Sequence, residues 1–359
     1  MDNSVNNFLS RLFRVCQNPD VIDLAIGQPN FSPPNAVLEA LKNNVGSYTR
    51  YTDMEGLPEL RGLIQKKLIN ENKIKTENVI VTNGAIEAIF DTMLTYLSKD
   101  SEVILLTPCY GKYHAVPNLL GSKIKTVSLN NKNRPDFDKL AQCITKKTKL
   151  IVVNSPCNPT GVVYSNYEIK QLIKIAEEHD LILLSDEVYE KYVYVNNGHV
   201  SPARFSDRVI TVNSFSKTYG LPGLRLGYLA GALDLVSPIR NVHMSNTTCS
   251  SYASQMAAVA ALNLKKDFFD LSSFNRRRSI VLDILDNNDI DYIFPEGTFY
   301  VYVYVNQDSI LFAQHLLDRK LLVMPGRVFG SDHNAIRISY AIDEELLVKG
   351  LEILTNYLD

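Results

Sequence analysis

At 359 residues the chain is too long for one minimal domain and suits two domains, or one large α/β unit with an appendage. Hydrophobic residues at 45% and charged residues at 21% are the composition of an ordinary globular protein with a sizeable core. A formal net charge of −2 offers no general attraction to phosphate polymers or anionic membranes, so a nucleic-acid or membrane partner has no electrostatic support.

The N-terminal stretch MDNSVNNFLSRLF lacks the apolar segment of a signal peptide, and no apolar run is long enough to span a bilayer, which predicts a cytoplasmic protein. Five widely spaced cysteines (Cys16, Cys109, Cys143, Cys157, Cys249) contain no C-x-x-C pair, so neither a disulfide scaffold nor a zinc site is indicated.

In chain order, a short amphipathic helix precedes VIDLAIGQPNF, a strand running into a turn set by Gly27 and Pro29. Helical patterning follows over Ala36 to Asn44; a Tyr-rich loop around Tyr51 then enters a helix at Leu57 to Ile69, with Pro58 where a first helical turn tolerates it. Val79 to Thr82 reads as a strand, Asn83-Gly84-Ala85 as a turn and Ile86 to Leu97 as a helix, the usual geometry for anion capture by backbone N–H groups. Apolar runs at 102–106, 123–127, 150–154, 181–185, 209–213 and 226–230 read as further strands. Most show no clean alternation, which suits a sheet buried on both faces. Helices between several of them, notably Asn166 to His179, predict a mainly parallel, helix-covered sheet.

After about Ser250 the pattern changes. Long helices are expected at Tyr252 to Leu264 and Phe268 to Leu285, the second carrying Arg276-Arg277-Arg278 on a solvated face. Strands near 299–305, 321–323 and 335–339 and helices at 309–320 and 344–357 complete a compact α+β unit. The expected division is a large domain over 46–250 and a smaller α+β domain built from 1–45 and 251–359.

Five clusters carry candidate chemistry. In NSFSKTYGLPGLRLG (213–227), Lys217 sits between Ser214 and Ser216 just after an apolar strand, with Arg225 eight residues on. It reads either as a Schiff-base lysine beside a phosphate anchor or as a surface lysine in a turn. NSPCNPTG (154–161) holds Asn158 either to hydrogen-bond a phenolate-type oxygen or simply as a turn residue. Asp186 follows an apolar strand in LSDEVYE, where a buried carboxylate needs a cation such as a protonated pyridine nitrogen; the plain alternative is a helix cap. Tyr189, three residues on, could reach the same ring. Tyr110, in TPCYGKY, reads as a stacking ring or as core. Arg337, inside the apolar strand AIRISYA, suits bidentate capture of a carboxylate or a structural ion pair.

Taken together and in this order, these motifs resemble the fold-type I pyridoxal-phosphate enzymes, and most closely the class I/II aminotransferases of the aspartate aminotransferase superfamily. The resemblance runs from Ile26-Gly27-Gln28-Pro29 to Arg337-Ile338-Ser339, and its most specific pieces are N-P-T-G, D-E-x-Y and S-x-S-K with an arginine eight residues later. It implies an α/β fold: a large domain with a mainly parallel, helix-covered seven-stranded sheet (the PLP-transferase fold type I) plus a smaller α+β domain. It implies the cofactor pyridoxal 5'-phosphate (PLP), carried as a Schiff base on Lys217, which also shuttles the proton. Asp186 would pair with the pyridine nitrogen, Asn158 and Tyr189 with the ring oxygen, and Tyr110 would stack on the ring. The phosphate would be held by Ser214, Ser216, Arg225 and the turn at Gly84, Ala85 and Ile86. Tyr51 matches a tyrosine that reaches the partner subunit's phosphate, which implies a homodimer with shared sites; Arg337, with Gly27 and Asn158, would grip a substrate carboxylate.

The implied reaction is transamination between an L-amino acid and a 2-oxo acid; a PLP-dependent lyase or amino-acid cyclase uses the same apparatus and is the alternative. Arg327, in PGRVFG, departs from the family's usual small residue and is expected either in a surface ion pair or in the pocket, selecting an acidic or polar substrate.

Overall fold

The computed structural model describes all residues except 1, 2, 17, 45, 47, 48, 50, 197, 331–333 and 359, so part of the expected Tyr-rich loop lies outside the described residues. The strands, in chain order, begin with β1 (Ile22–Asp23), β2 (Val79–Thr82), β3 (Glu102–Thr107), β4 (Lys123–Ser128), β5 (Thr148–Asn154), β6 (Ile182–Asp186), β7 (Val209–Ser214) and β8 (Gly227–Ala230). They continue with β9 (Tyr292–Ile293), β10 (Tyr300–Tyr304), β11 (Leu321–Leu322), β12 (Met324–Pro325) and β13 (Ala335–Ser339). Seven of them form the central sheet in the order β2-β8-β7-β6-β5-β3-β4. From β7 to β4 all neighbours are parallel, whereas β8 runs antiparallel to both β7 and β2. A four-stranded antiparallel sheet, β12-β13-β10-β9, and the parallel pair β1-β11 complete the set.

Successive residues of the parallel strands feed two different cores, because strand side chains alternate between faces. In β3, Ile104 and Leu106 join one apolar cluster while Val103 and Leu105 join the other; Ile151 and Val153 against Leu150 and Val152 repeat this in β5. Both faces are dry, which is why these strands carry no polar alternation. Helix Asn166–Glu178 covers one face through Ile169, Leu172 and Ile173, and helix Gly84–Tyr96 covers the other through Ala88, Ile89 and Met93. Ser165 and Glu168 close a full capping box at the start of the first of these, so the sequence signal and the observed boundary agree. β4 is the exception, an edge strand with mostly exposed side chains, where Lys125 pairs with Glu102 at 2.9 Å.

Two expectations are corrected. Helix Leu233–Asn246 was not anticipated, because Pro238 lies inside it and reads as a breaker; buried Leu235, Val236 and Ile239 hold it against the sheet nonetheless. The Arg276-Arg277-Arg278 face is not uniformly solvated. Arg276 pairs with Glu344, but Arg277 is buried, donating to Asn30 Oδ1 at 2.6 Å and Ile342 O at 2.8 Å, and Arg278 donates to Pro295 O at 2.6 Å. Arg277 and Arg278 thus tie the helix to Asn30, Ile342 and Pro295. Among the described residues no helix is long and apolar enough to cross a membrane.

Candidate active site

β3, β5, β6 and β7 end side by side, and the loops leaving their C-terminal ends surround a cavity of about 330 Å³. This is the crevice where open α/β sheets place ligands. Asp186 is the last residue of β6 and is 4% exposed. Its Oδ2 accepts from Tyr113 Oη at 2.7 Å and its Oδ1 from the Val188 N–H at 3.3 Å. Burial pushes the carboxyl up to about 6, with the Tyr113 donation opposing the rise.

Lys217 follows β7 and reaches into the same cavity, its Nζ donating to Gly27 O at 2.6 Å. The rings of Tyr189 and Phe299 lie 5.7 and 5.9 Å from the amine. Burial, then the nearby charges of Arg337 and Arg225, lower its pKa from 10.5 to about 8. A lysine that deprotonates near neutrality is a nucleophile and a base; an ordinary surface lysine is neither.

The turn at Gly84 opens helix Gly84–Tyr96, so its first N–H groups have no intrahelical partner. Gly84 has φ +78°, and a Cβ there would lie 2.6 Å from Arg225 Nη2. The glycine thus makes room for the guanidinium beside the helix N-terminus, and Ala85, Ile86, Ser214, Ser216 and Arg225 line this end of the cavity. Ser216 N–H donates to Ser214 Oγ at 2.9 Å, which fixes the loop that delivers Lys217. Helix dipole, guanidinium and two hydroxyls are a donor set suited to a phosphate.

At the opposite end, Arg337 on β13 is 5% exposed and donates through Nη1 to Asn158 Oδ1 at 2.7 Å and through Nη2 to Ala25 O. It lies 4.1 Å above the Tyr300 ring and 5.0 Å from that of Phe329. Its Nε has no hydrogen-bond partner, and among the described residues no carboxylate pairs with it. The structural ion pair weighed from the sequence is therefore not what holds it. A buried guanidinium with an unused donor is what an incoming carboxylate would satisfy.

Asn158 is itself positioned by Asn154, whose Oδ1 accepts the Asn158 N–H at 2.8 Å while its Nδ2 donates to Asp186 O at 2.9 Å. Tyr189 Oη lies 2.9 Å from Tyr300 Oη, and Gly27 is a glycine because a Cβ there would overlap that Tyr300 hydroxyl. Tyr110 lines the cavity and packs edge-on against Tyr113, with ring centroids 5.6 Å apart.

The structure thus brings the candidate residues to one cavity, except Gly84, which backs its wall beside Arg225, and Tyr51, which is 88% exposed; neither lines the cavity. Arg327 forms its ion pair with Asp308 at the surface and does not line the cavity either. Tyr113, Asn154 and Tyr300 were missed as site residues. Tyr113 had a signal, three residues after Tyr110 on one turn, whereas Tyr300 lies in a strand that reads as plain core.

The residues present fit a phosphorylated pyridine aldehyde: a buried carboxylate with a raised pKa, an amine with a lowered one, and an anion cradle at a glycine that could carry no side chain. Residues 19–354 match the family described as aminotransferase class I and II. The probable aspartate aminotransferase of Methanocaldococcus jannaschii is 37% identical over 353 residues, covering 93% of this chain and 92% of that one. The aspartate/prephenate aminotransferase of Thermus thermophilus is 33% identical, covering 94% and 90%. Among solved structures, the T. thermophilus aspartate aminotransferase with maleate superposes with a TM-score of 0.93 at 31% identity, covering 100% of this chain and 97% of that one. The aromatic aminotransferase of Pyrococcus horikoshii gives 0.90 at 32%, covering 98% of each. These relatives transfer amino groups, so the lyase or cyclase alternative is not favoured. With its sheet order, its cavity and these relatives in agreement, the chain belongs to the class I and II aminotransferases and is an enzyme of that family.

Proposed function

We propose that the cavity binds pyridoxal 5'-phosphate, that Lys217 carries it covalently, and that the protein exchanges an amino group between an L-amino acid and a 2-oxo acid. The observation that carries this reading is the Lys217 amine, with its pKa lowered to about 8, in one cavity with the buried carboxylate of Asp186. When bound, the cofactor supplies an aldehyde carbon and an electron sink. Asp186 holds the ring nitrogen protonated, Asn158 and Tyr189 bind the ring oxygen, and Tyr110 covers one face. Ser214, Ser216, Arg225 and the N–H groups at Gly84, Ala85 and Ile86 hold the phosphate. Arg337, beside Gly27 and Asn158, would orient the substrate α-carboxylate, and the Lys217 amine, freed when the substrate amine takes its place on the cofactor, would remove the proton from substrate Cα.

Tyr51, exposed and outside the lining of its own cavity, completes the phosphate site of a second copy, so the working unit is a homodimer. Relatives named for aspartate, and one solved with maleate, support a dicarboxylic substrate. Lys112, exposed on the turn after Tyr110 and lining the cavity, is the cation we assign to the second carboxylate.

Purified protein should show a visible absorption band that Lys217→Ala abolishes. One L-amino acid added without an acceptor should release about one equivalent of 2-oxo acid per site, with no ammonia. Ammonia release, or no Lys217-dependent band, overturns the reading. Lys112→Ala should lower kcat/KM for aspartate roughly tenfold relative to phenylalanine, the size of one partly exposed charge-assisted contact.

A further inference from the structure

Behind the phosphate end of the cavity, three titratable side chains meet out of solvent. His243, on helix Leu233–Asn246, and Asp91 are fully buried, and Glu87 is 8% exposed. His243 Nδ1 lies 3.3 Å from Glu87 Oε1 and 3.5 Å from Asp91 Oδ2, while Nε2 lies 3.0 Å from the backbone oxygen of Met54. A carbonyl only accepts, so Nε2 must carry a proton to bond Met54; Nδ1 makes no aligned hydrogen bond but faces two carboxylate oxygens at ion-pair distance, where a lone pair is repelled and an N–H attracted, so charge places a proton there as well. A neutral ring has a single N–H and serves one side or the other. Only the imidazolium serves both.

Met54 belongs to the 51–57 loop that presents Tyr51, and Glu87 and Asp91 belong to the helix that begins at Gly84. The loop is also held by Val81 N–H on Glu55 O at 2.9 Å and by Leu57 N–H on Gln255 Oε1 at 2.7 Å, but its tip at Met54 is bonded through His243. From its own helix, Asn246 Nδ2 donates to Asp91 Oδ1 at 3.0 Å and Thr247 bonds Glu87, whose other oxygen accepts from the Asn83 N–H. The cations of this region, Arg240 and Arg61, are committed to Glu55, and Arg61 also to Asp53. That leaves His243 as the counter-charge for the two buried carboxylates among the described residues.

We propose that doubly protonated His243 is a positioning residue, clamping the 51–57 loop to the helix whose N-terminus forms the phosphate site. Burial opposes a charge on the ring, but the attraction of the Asp91 and Glu87 carboxylates at 3.5 and 3.3 Å outweighs it and lifts the pKa from 6.5 to about 9. A raised pKa gives stabilisation that is complete below about 6.5 and lost as pH rises through about 9. The clamp therefore opens in alkali. Its effect on cofactor phosphate binding rests on the function proposed above; the clamp itself does not.

The test is hydrogen exchange of peptides spanning residues 52–57 in cofactor-free protein at pH 7 and pH 10, each corrected for intrinsic exchange. Wild-type protection should fall roughly tenfold or more, the weight of one charge-assisted hydrogen bond. His243→Gln, which cannot titrate, should be less protected at pH 7 and show no such step. Glu87→Gln, which removes one carboxylate, should move the step to lower pH. An unchanged wild type, or a His243→Gln variant with the same step, overturns the clamp. So does about one equivalent of divalent metal per purified chain whose chelation alone releases the loop, since a metal on Nδ1 would replace the second proton. A Lys217-dependent absorption band with flat exchange sinks the clamp alone. An alkaline step in the wild type that is absent from His243→Gln, without that band, supports the clamp and sinks the cofactor reading.

Discussion

Replacing Arg337 with methionine separates a group that binds substrate from one that holds the fold. In the free protein the guanidinium makes two hydrogen bonds, to Asn158 Oδ1 and Ala25 O, and among the described residues it has no carboxylate partner. Losing two bonds from a charged donor costs about 3 to 6 kcal/mol. Removing a buried charge with no counter-ion returns roughly the same amount, several kcal/mol per ion. Methionine keeps most of the packing against Tyr300 and Phe329. The expected net change in stability is within about 2 kcal/mol, which for a chain of 359 residues shifts the thermal midpoint of the cofactor-free protein by about 3 °C or less. Activity should behave differently, because a bidentate grip on a carboxylate is worth about 3 to 6 kcal/mol and its loss lowers kcat/KM by roughly 10² to 10⁴. The assays are calorimetric melting and steady-state kinetics on the same preparation. A midpoint lowered by far more, together with near-normal kcat/KM in the folded fraction, would show that Arg337 is structural and refute the argument.

Four further outcomes are expected. Tyr113→Phe removes a hydrogen bond to Asp186 and raises a carboxyl already lifted from 3.8 to about 6. Because the folded-state value lies above the unfolded one, ionising Asp186 costs stability as pH rises from about 4 to 6; denaturation series should show this loss extending to higher pH in the variant. In cofactor-free protein, capture of a small aldehyde by Lys217 under reducing conditions should level off above about pH 8, and a rate still climbing through pH 10 would contradict the lowered amine pKa. Gly84→Ala places a methyl group 2.6 Å from Arg225 Nη2 at φ +78°, so it should lose about 1 to 2 kcal/mol of stability and bind pyridoxal phosphate at least roughly tenfold more weakly by equilibrium titration. Arg327→Ala should leave kcat/KM for a dicarboxylic donor within about threefold, since a surface ion pair with Asp308 contributes about 0 to 1 kcal/mol.

The legible features are those decided within a few residues. Apolar runs without alternation gave the parallel strands β3, β5, β6 and β7 nearly to their ends, because burial on both faces removes the polar positions. The cavity residues could be named because each follows a strand end directly: Asp186 ends β6, and Lys217 stands three residues after β7. A ligand crevice at the carboxyl ends of parallel strands then draws them together without further information. Arg337 could be read as functional because an arginine inside the apolar run of β13 is costly unless something anionic meets it.

What the sequence left open depends on partners far along the chain. Helix Leu233–Asn246 forms despite Pro238 because the sheet receives its apolar face, and Arg277 is buried because Asn30 and the Ile342 carbonyl come to meet it. Tyr113 bears on the site through Asp186, 73 residues away, and Tyr300 through Tyr189, 111 residues away, and through the Arg337 guanidinium above its ring. His243 is a polar residue on an unpredicted helix until folding sets it between Met54 and two carboxylates. Residue type and spacing were enough to name the groups that this aminotransferase gathers in its cavity. Their pKa values, and the second layer of side chains that sets them, were decided only by tertiary contact, because desolvation and charge pairing act through space and leave no periodic trace along the chain.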